Sequence, residues 1–235
     1  LSGYAGSGKT FLAMRFLQLV EERKLCWTVA APTHKAVGVL KKALARDSLS
    51  PTWYPSTIHR LLRLKLKRKG DIELCEETKQ TLNSLDELGL VIIDESSMID
   101  SKLLEIIIKC AHFSKTRLVF VGDQAQLPPV GEANSSIFSI KEMNCSHLSE
   151  VVRHQGPVLK LASCIRDGSI PCVSPPCLPL YQTSHGLFAS LDKRNWLCKA
   201  KSALKASYEN NNPDEARILC YTNKVLELLV PHARR

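Results

Sequence analysis

The sequence predicts an α/β fold in which a parallel β-sheet is flanked by helices. Three observations favour this class. The segment GYAGSGKT, residues 3–10, fits the phosphate-binding pattern GxxxxGK[ST] at every fixed position. Short apolar runs at 26–31, 88–93 and 117–121 alternate with helical patterns, as is typical of strands buried on both faces of a parallel sheet. Acidic and amide residues follow the last two runs, at the edge where open α/β folds bind ligands.

The phosphate loop predicts a nucleoside triphosphate site. Its glycines free the backbone to curl, so that successive N–H groups and the start of the next helix point at an anion. Lys9 is expected to reach the β- and γ-phosphates, and the Thr10 hydroxyl to help hold Mg²⁺. A glycine-rich turn with a surface lysine is the alternative that this motif alone leaves open. The predicted contacts with ATP in this loop are Gly3, Gly6, Ser7, Gly8, Lys9 and Thr10.

Composition favours a polyanionic partner. The chain has 235 residues, and 32 Lys and Arg residues against 23 Asp and Glu residues give a net charge of +9, which nucleic acid fits best. Nine cysteines in mostly apolar surroundings suggest a reducing compartment. Cys172 and Cys177 form a single CxxxxC pair, which by itself does not predict a zinc site. No run is long enough to span a membrane, so we expect a soluble, cytoplasmic protein without a membrane partner.

Helical and strand patterns alternate along the chain. Helices are indicated by apolar residues at helical spacing, several with a capping residue at the start. Residues 171–179 are expected to form a surface loop, and 209–214 a linker. The other predicted elements are, in chain order, a helix at 11–20, a helix to Leu44 capped by Thr33, a short helix at 58–62 begun by Ser56 and Thr57, a helix to Lys109 capped by Asp100 or Ser101, a helix at 157–166, a strand at 186–190, a helix at 192–206, a strand at 216–221 and a helical start at Asn223.

A basic β-hairpin is predicted as an insertion at about 62–76. The segment LRLKLK at its start alternates leucine with basic residues, which indicates a half-buried strand. A three-residue turn ending at Gly70 would make Leu66 face Ile72. A surface helix with a charged side is the alternative, and it is less favoured because it would put the leucines on opposite sides.

Residues that follow the two later strands are predicted to complete the ATP site. Asp94 and Glu95 come directly after the run 88–93. Asp94 is expected to orient the Mg²⁺ shell, and Glu95 to take a proton from the attacking water. In GDQAQLPPV, the amide of Gln124 or Gln126 is expected to sense the γ-phosphate. A solvated turn is the alternative for the acidic pair, and the glutamines taken alone leave both interpretations open.

Seven segments carry a family resemblance when they are read in order. They are GYAGSGKT (3–10), APTHKAV (31–37), STIHRLL (56–62), VIIDESSMID (91–100), VGDQAQLPPV (121–130), LSEVVRHQ (148–155) and YTNK (221–224). This ordered set resembles the motifs of superfamily 1B helicases of the RecD and Dda type, and it covers nearly the whole chain. The resemblance implies a RecA-like P-loop NTPase domain at 1–208 and the incomplete start of a second RecA-like domain at 209–235.

The resemblance also assigns roles to residues. It gives Lys9, Glu95 and Gln126 the catalytic roles argued above, and it adds Arg153 as a catalytic contact to the γ-phosphate. Thr33 is equally a good helix cap, and His59 could be an ordinary surface histidine. The residues implied on the single-stranded DNA track are Pro32, Thr33, His34, Lys35, Thr57 and His59. Those implied on a strand-separating pin are Arg63, Lys65 and Lys67 of the basic hairpin, for which a solvated charged hairpin is the alternative.

The function implied is that of an ATP-dependent DNA helicase that moves 5′ to 3′ on single-stranded DNA and unwinds forked duplex DNA. Replication or repair partners cannot be named from the sequence. The alternatives are a nucleic-acid-binding ATP switch that moves nothing, or an inactive helicase fragment. A small GTPase is disfavoured, because Val225 and Leu226, with no aspartate to read guanine, follow Asn223 and Lys224.

The sequence departs from the family in two places. After YTNK, Val230 precedes Pro231 where the family usually has an asparagine a few residues on. The rest of the second RecA-like domain, with the motif that carries the arginine finger, is also absent. In addition, only Leu1 and Ser2 precede Gly3, where a phosphate loop normally follows a buried strand. We therefore expect a piece of a longer protein, poorly stable by itself, that alone neither hydrolyses ATP at a useful rate nor unwinds DNA.

Overall fold

The computed structural model describes residues 1–69, 72–152, 156–168, 192–212, 215–220 and 222–233. The chain divides into two compact units, Leu1–His154 and Gln155–Arg235. The predicted domain boundary between 208 and 209 lies inside the second unit and stays a prediction.

The first unit combines parallel strands with helices. Its strands are β1 (Ser2–Gly3), β2 (Trp27–Ala31), β3 (Ser56–Thr57), β4 (Lys65–Lys69), β5 (Ile72–Glu76), β6 (Leu90–Ile93), β7 (Arg117–Phe120) and β8 (His147–Leu148). Its α-helices are α1 (Lys9–Glu22), α2 (His34–Arg46), α3 (Ile58–Leu61) and α4 (Ser101–Ser114). The predicted α/β class, with a parallel sheet and a small hairpin, is confirmed.

Parallel pairing brings the strand ends to one edge. The main sheet has the order β3-β2-β6-β7, and every pair in it is parallel. β1 pairs in parallel with β8, and a parallel bridge between Ser2 and Gly122 joins β1 to the end of β7. The segments that follow β1, β2, β6 and β7 therefore leave at the same edge.

The central strands form because their side chains are apolar on both faces. In β6 the alternation is regular: Val91 and Ile93 pack in one apolar cluster, and Ile92 packs in the other. The first cluster includes residues of α3 and α4, and the second includes residues of α1 and α2. The sheet thus separates two hydrophobic cores, each covered by helices, as the continuous apolar runs predicted.

Three helices of this unit begin at side-chain caps. The Thr33 hydroxyl accepts a hydrogen bond from Ala36 N at 3.2 Å. The Asp100 carboxylate accepts one from Leu103 N at 2.7 Å. Both predicted caps are confirmed, and Thr57 caps α3 in the same way. These caps fix where the chain turns from the sheet edge into each helix.

The hairpin is present, but its predicted register is wrong. Cα partners in β4 and β5 include Leu66 with Cys75 and Lys69 with Ile72. The first strand therefore extends through Lys69, which the prediction placed in the turn. The paired strands are separated by residues 70–71 instead of 68–70, so the partner of Leu66 moves three positions, from Ile72 to Cys75.

The second unit is helical in its described part, with α5 (Pro157–Arg166), α6 (Lys193–Glu209) and α7 (Asn223–Ala233). The predicted helices at 157–166 and 192–206 and the helical start at Asn223 are confirmed. The predicted strand at 216–221 is wrong for the described residues 216–220, which are irregular. An extended apolar run becomes a strand only beside a partner strand, and the described part of this unit offers none. The predicted strand at 186–190 and loop at 171–179 lie outside the described residues.

Among the described residues, no helix combines the length and apolar character that crossing a bilayer requires.

Candidate nucleotide and nucleic-acid site

The phosphate loop connects β1 to α1. Gly8 directly precedes α1 with φ 90°, a left-handed conformation that glycine adopts at little cost. Ser7 N donates to Tyr4 O at 3.0 Å and Leu12 N donates to Gly8 O at 3.0 Å, which closes the loop and starts the helix. The first N–H groups of α1 therefore point out of this turn, where an anion can accept from them.

Polar groups converge inside the loop. Lys9 Nζ donates to Gly3 O at 2.8 Å and to Tyr4 O at 3.0 Å. The Ser7 hydroxyl is buried and has no hydrogen-bond partner among the described residues. A cation held by neutral carbonyls and an unsatisfied buried hydroxyl both suit an incoming phosphate, which supplies acceptor oxygens.

Asp94 lies at the end of β6, beside the start of α1. Its Oδ2 atom accepts a hydrogen bond from Thr10 Oγ1 at 3.5 Å, and the residue is only 9% exposed. Burial raises the pKa of the Asp94 carboxyl, and hydrogen bonds from Glu95 N and Thr10 together with the Lys9 charge oppose that rise. Hydroxyl and carboxylate oxygens are the ligands that Mg²⁺ prefers, so this pair fits the predicted metal.

Glu95 has a strained backbone that the sequence did not reveal. Its φ is 53°, in the left-handed region that non-glycine residues rarely adopt. Two hydrogen bonds hold it there: Glu95 N donates to Asp94 Oδ1 at 2.9 Å, and Ser96 N donates to Val121 O at 3.0 Å. Strain of this kind clusters at functional sites, where neighbouring structure enforces it.

The loop after β7 is organised by Asp123, which sequence reasoning missed. Asp123 is 4% exposed, and its Oδ1 accepts from Ala125 N at 3.0 Å. Its Oδ2 accepts from Gln126 Nε2 at 3.4 Å, so the carboxylate orients the Gln126 amide. Gln124 is exposed and does not line the cavity described next. The signal that could have found Asp123 is its place in the turn segment GDQAQ. Aspartate side chains in turns often accept a hydrogen bond from the backbone N–H two residues further on.

One cavity collects most of the predicted nucleotide residues. Its volume is about 400 Å³. Gly6, Gly8, Lys9, Thr10, Asp94, Glu95 and Gln126 line it. One face of α2 also lines it, through Val39, Lys42, Ala43 and Arg46. Their spacing of three, four and seven residues is that of a single helix face, but only the structure shows which partner that face meets.

The predicted DNA residues lie at the ends of two neighbouring strands. Ala31 is the register partner of Thr57, so 32–35 and 57–59 leave adjacent strands at the same edge. His34 and Lys35 are exposed there. The Thr33 and Thr57 hydroxyls act as helix caps, and Thr57 is buried. The structure therefore gathers this set, while two of its hydroxyls already have structural partners.

One of the three predicted basic side chains at the hairpin is paired with a carboxylate. Lys67 forms an ion pair of 2.7 Å with Glu76. Arg63 lies before β4, where its Nη1 donates to Gln80 Oε1 at 3.2 Å. Lys65 begins the first strand of the hairpin. Arg153, the remaining predicted site residue, lies outside the described residues.

A family model described as an AAA domain matches residues 1–174. The chain is 33% identical over 190 residues to an uncharacterised protein of Acanthamoeba polyphaga mimivirus, and the match covers 72% of this chain and 37% of that protein. It is 30% identical over 174 residues to the ATP-dependent DNA helicase Dda of Enterobacteria phage T4, again with coverage of 72% and 37%. The chain thus spans a little over a third of the length of these relatives.

A solved structure agrees with this fold. The crystal structure of a Pif1 helicase from Bacteroides in complex with ADP-AlF3 and ssDNA superposes with a TM-score of 0.52. The match covers 97% of this chain and 51% of that one at 21% identity. At this identity the likeness concerns the fold alone.

Proposed function

This chain belongs to the AAA domain family, among superfamily 1B helicases of the RecD, Dda and Pif1 type, and we propose that it forms the ATP-hydrolysing part of a DNA helicase. One observation carries the proposal. Lys9, Glu95 and Gln126 follow three different strands and line one cavity. A cation, a carboxylate and an amide around a phosphate loop are the groups that phosphoryl transfer to water requires.

In the proposed reaction, each group has a separate task. Lys9 exchanges its loop carbonyls for the β- and γ-phosphate oxygens of ATP. Thr10 and Asp94 supply the oxygens that would hold Mg²⁺, which when bound offsets negative charge on the phosphates. Glu95 takes a proton from water as the water oxygen bonds to the γ-phosphorus and the bond to the bridging oxygen of ADP breaks. Gln126 contacts the γ-phosphate, and Arg153 remains a predicted contact to the same group.

We propose single-stranded DNA and forked duplex DNA as the partners, with movement 5′ to 3′. The support is the paired strand ends at 32–35 and 57–59, the basic hairpin and the net charge of +9. An intracellular location is also part of the proposal, since the seven cysteines that the structure describes are free.

The test uses the full-length protein. ATP turnover is measured with and without a single-stranded oligonucleotide, and strand separation is measured on forks that carry only a 5′ or only a 3′ tail. We expect oligonucleotide-stimulated turnover and unwinding of the 5′-tailed substrate. Stimulated turnover without strand separation would instead favour an ATP switch that moves nothing. No ATP turnover under any condition would overturn the proposal.

A further inference from the structure

A second cavity, of about 360 Å³, lies between α2, the segment 53–56 and α3. It shares no lining residue with the nucleotide cavity. Three of its lining side chains are basic, Lys41, Arg60 and Arg63, and none is acidic. Its volume is at the lower end of the roughly 300 to 1,000 Å³ of ligand pockets, which suits a ligand the size of one nucleotide. An anionic ligand is indicated by the charge.

The aromatic residue Tyr54 also lines this basic cavity. Tyr54 is 86% exposed, and the Lys41 ammonium lies 5.8 Å from the centroid of its ring. At this distance the Lys41 ammonium lies over the π-face of the Tyr54 ring. Exposed aromatic side chains are common when they occur singly. Tyr54 differs because it shares a cavity with three cations.

The backbone beside Tyr54 is held firmly. Thr52 N donates to Trp27 O at 2.9 Å, and Trp27 N donates to Thr52 Oγ1 at 3.0 Å. The Thr28 hydroxyl donates to Trp53 O at 2.7 Å. These bonds tie the segment to β2, a buried central strand. The backbone next to Tyr54 is thus already ordered, so less conformational entropy is lost when a ligand stacks on the Tyr54 ring.

The backbone at both arginines is held by local hydrogen bonds. Arg60 belongs to α3, whose first turn is capped by Thr57, so its backbone position is set by the end of β3. The Arg63 guanidinium donates to Gln80, and Arg63 O accepts from Thr78 Oγ1 at 3.1 Å. Both cations are exposed at the cavity, where phosphate oxygens can reach them.

We propose that this cavity binds one nucleotide of a single nucleic-acid strand, with the base stacked on Tyr54 and the phosphates contacted by Arg60 and Arg63. The combination of a stacking ring with a basic groove is how single strands are held without regard to sequence. The inference rests on the proposed function, since it extends the DNA track: His59 and Arg60 are consecutive residues of α3. It adds Tyr54 and Arg60 to the residues that bind the strand.

The test measures binding of a fluorescent oligothymidylate to the full-length protein over a series of salt concentrations. Tyr54→Ala should weaken binding by about 5- to 150-fold, the range that loss of one stacked base gives, with an unchanged salt slope. Tyr54→Phe should bind like wild type, because it keeps the ring. Arg60→Gln should lower the salt slope by about 0.7, the value for one phosphate contact to a single strand.

Two matched variants control for general effects. Tyr208, on α6, is 87% exposed, and Tyr208→Ala should bind like wild type. Lys102→Gln, on exposed α4 surface, should leave the salt slope unchanged. If wild type binds the oligonucleotide but Tyr54→Ala binds equally well, this inference alone fails. If Tyr54→Ala weakens binding of blunt duplex as much as of single strands, base stacking is excluded. If wild type binds no single strands, both this inference and the proposed function are overturned.

Discussion

The Thr10 hydroxyl donates a hydrogen bond of 3.5 Å to Oδ2 of Asp94, although 84 positions separate the two residues in the chain. Thr10 lies in the first turn of α1, and Asp94 comes directly after β6. The contact forms because parallel strands deliver their following segments to the same edge. Burial at this position makes the charged form of the Asp94 carboxylate unfavourable. The carboxylate therefore does not stabilise the fold, and its position is explained by ligand binding.

Asp94→Asn should therefore stabilise the nucleotide-free protein at neutral pH. Burial raises the pKa of Asp94 above the value of about 3.9 for an unfolded aspartate. A group of this kind contributes stability that is fully present below the unfolded pKa and is lost as pH rises through the folded pKa. Asparagine has no charge to desolvate, so the gain in free energy of unfolding over wild type should grow across that pH window.

Urea unfolding at a series of pH values, without nucleotide or Mg²⁺, measures this difference. Glu105→Gln, which changes an exposed carboxylate on α4, should follow wild type at every pH. ATP with Mg²⁺ should raise the stability of wild type more than that of Asp94→Asn. Equal pH profiles for wild type and Asp94→Asn would contradict the role of burial at this carboxylate.

Glu95→Gln should slow ATP turnover by at least about a hundredfold, the usual scale for losing a general base. The amide is close in size to the carboxylate, so binding of ATP and DNA should be retained. Steady-state turnover and equilibrium binding are measured on the same preparation of the full-length protein. Turnover close to wild type would exclude Glu95 as the base.

Lys9→Ala serves as the contrasting variant. It removes a cation that is proposed to contact the phosphates directly, so both ATP binding and turnover should fall. The two variants together separate proton transfer from phosphate binding. If Glu95→Gln lost ATP affinity as strongly as Lys9→Ala, Glu95 would be needed to shape the cavity for ATP, and the loss of turnover would not show that it is the base.

Much of this site could be predicted because its residues follow parallel strands. The runs at 26–31 and 88–93 gave the strands, and the parallel-sheet rule then grouped Asp94 with the phosphate loop. The α2 face with Lys42 and Arg46 could not be predicted in the same way. Periodicity shows that a helix has faces, but the partner of each face depends on tertiary packing.

The hairpin register and the strand at 216–221 were predicted wrongly for one physical reason, because each depends on which segment pairs with which in the folded chain. The hairpin register depends on where the first strand ends as well as on loop length, and the alternating pattern stops at Lys67 although the strand continues to Lys69. The strand expected at 216–221 required a neighbouring strand, and in the described residues 216–220 the chain is irregular. The left-handed backbone of Glu95 is held by hydrogen bonds from Glu95 N to Asp94 and from Ser96 N to Val121, the residue after β7, which local propensity does not predict.

Neutralising the hairpin should weaken DNA binding and flatten its salt dependence. Lys65→Gln should lower the salt slope by up to about 0.7 for a single-stranded contact. Lys67→Gln should have a smaller effect, since Glu76 already lies 2.7 Å from its ammonium. Glu76→Gln should accordingly strengthen binding by freeing that lysine. Lys201→Gln, on α6, is the matched control for loss of one exposed charge.

The hairpin variants also distinguish a strand-separating pin from a supporting surface. Shortening the loop between Lys69 and Ile72 should reduce fork unwinding much more than oligonucleotide-stimulated ATP turnover. The two rates are compared in the same variant of the full-length protein. A parallel loss in both assays would mean that the hairpin supports the fold.

Gly122→Ala and Gly38→Ala should change stability in opposite directions. A Cβ atom at Gly122 would overlap Ser96 Oγ and approach Phe138 Cζ at 3.2 Å and Ser97 N at 3.3 Å. Gly122 also joins β7 to β1, since its N–H donates to Leu1 O at 3.1 Å. An added methyl group must therefore push the end of β7 away from the turn after Glu95, at a cost of about 1–3 kcal/mol for an overpacked site.

Gly38 is the matched control because it lies in the interior of α2 and a Cβ atom there meets nothing within 4 Å. Alanine favours a helix over glycine by about 0.8–1.0 kcal/mol, so Gly38→Ala should raise the free energy of unfolding. Gly122→Ala should lower it and also weaken ATP binding, because Asp123 and Gln126 follow the displaced strand end. Thermal unfolding with and without ATP measures both effects. Stabilisation by both substitutions would show that the contact between Gly122 and Ser96 can relax without moving the site.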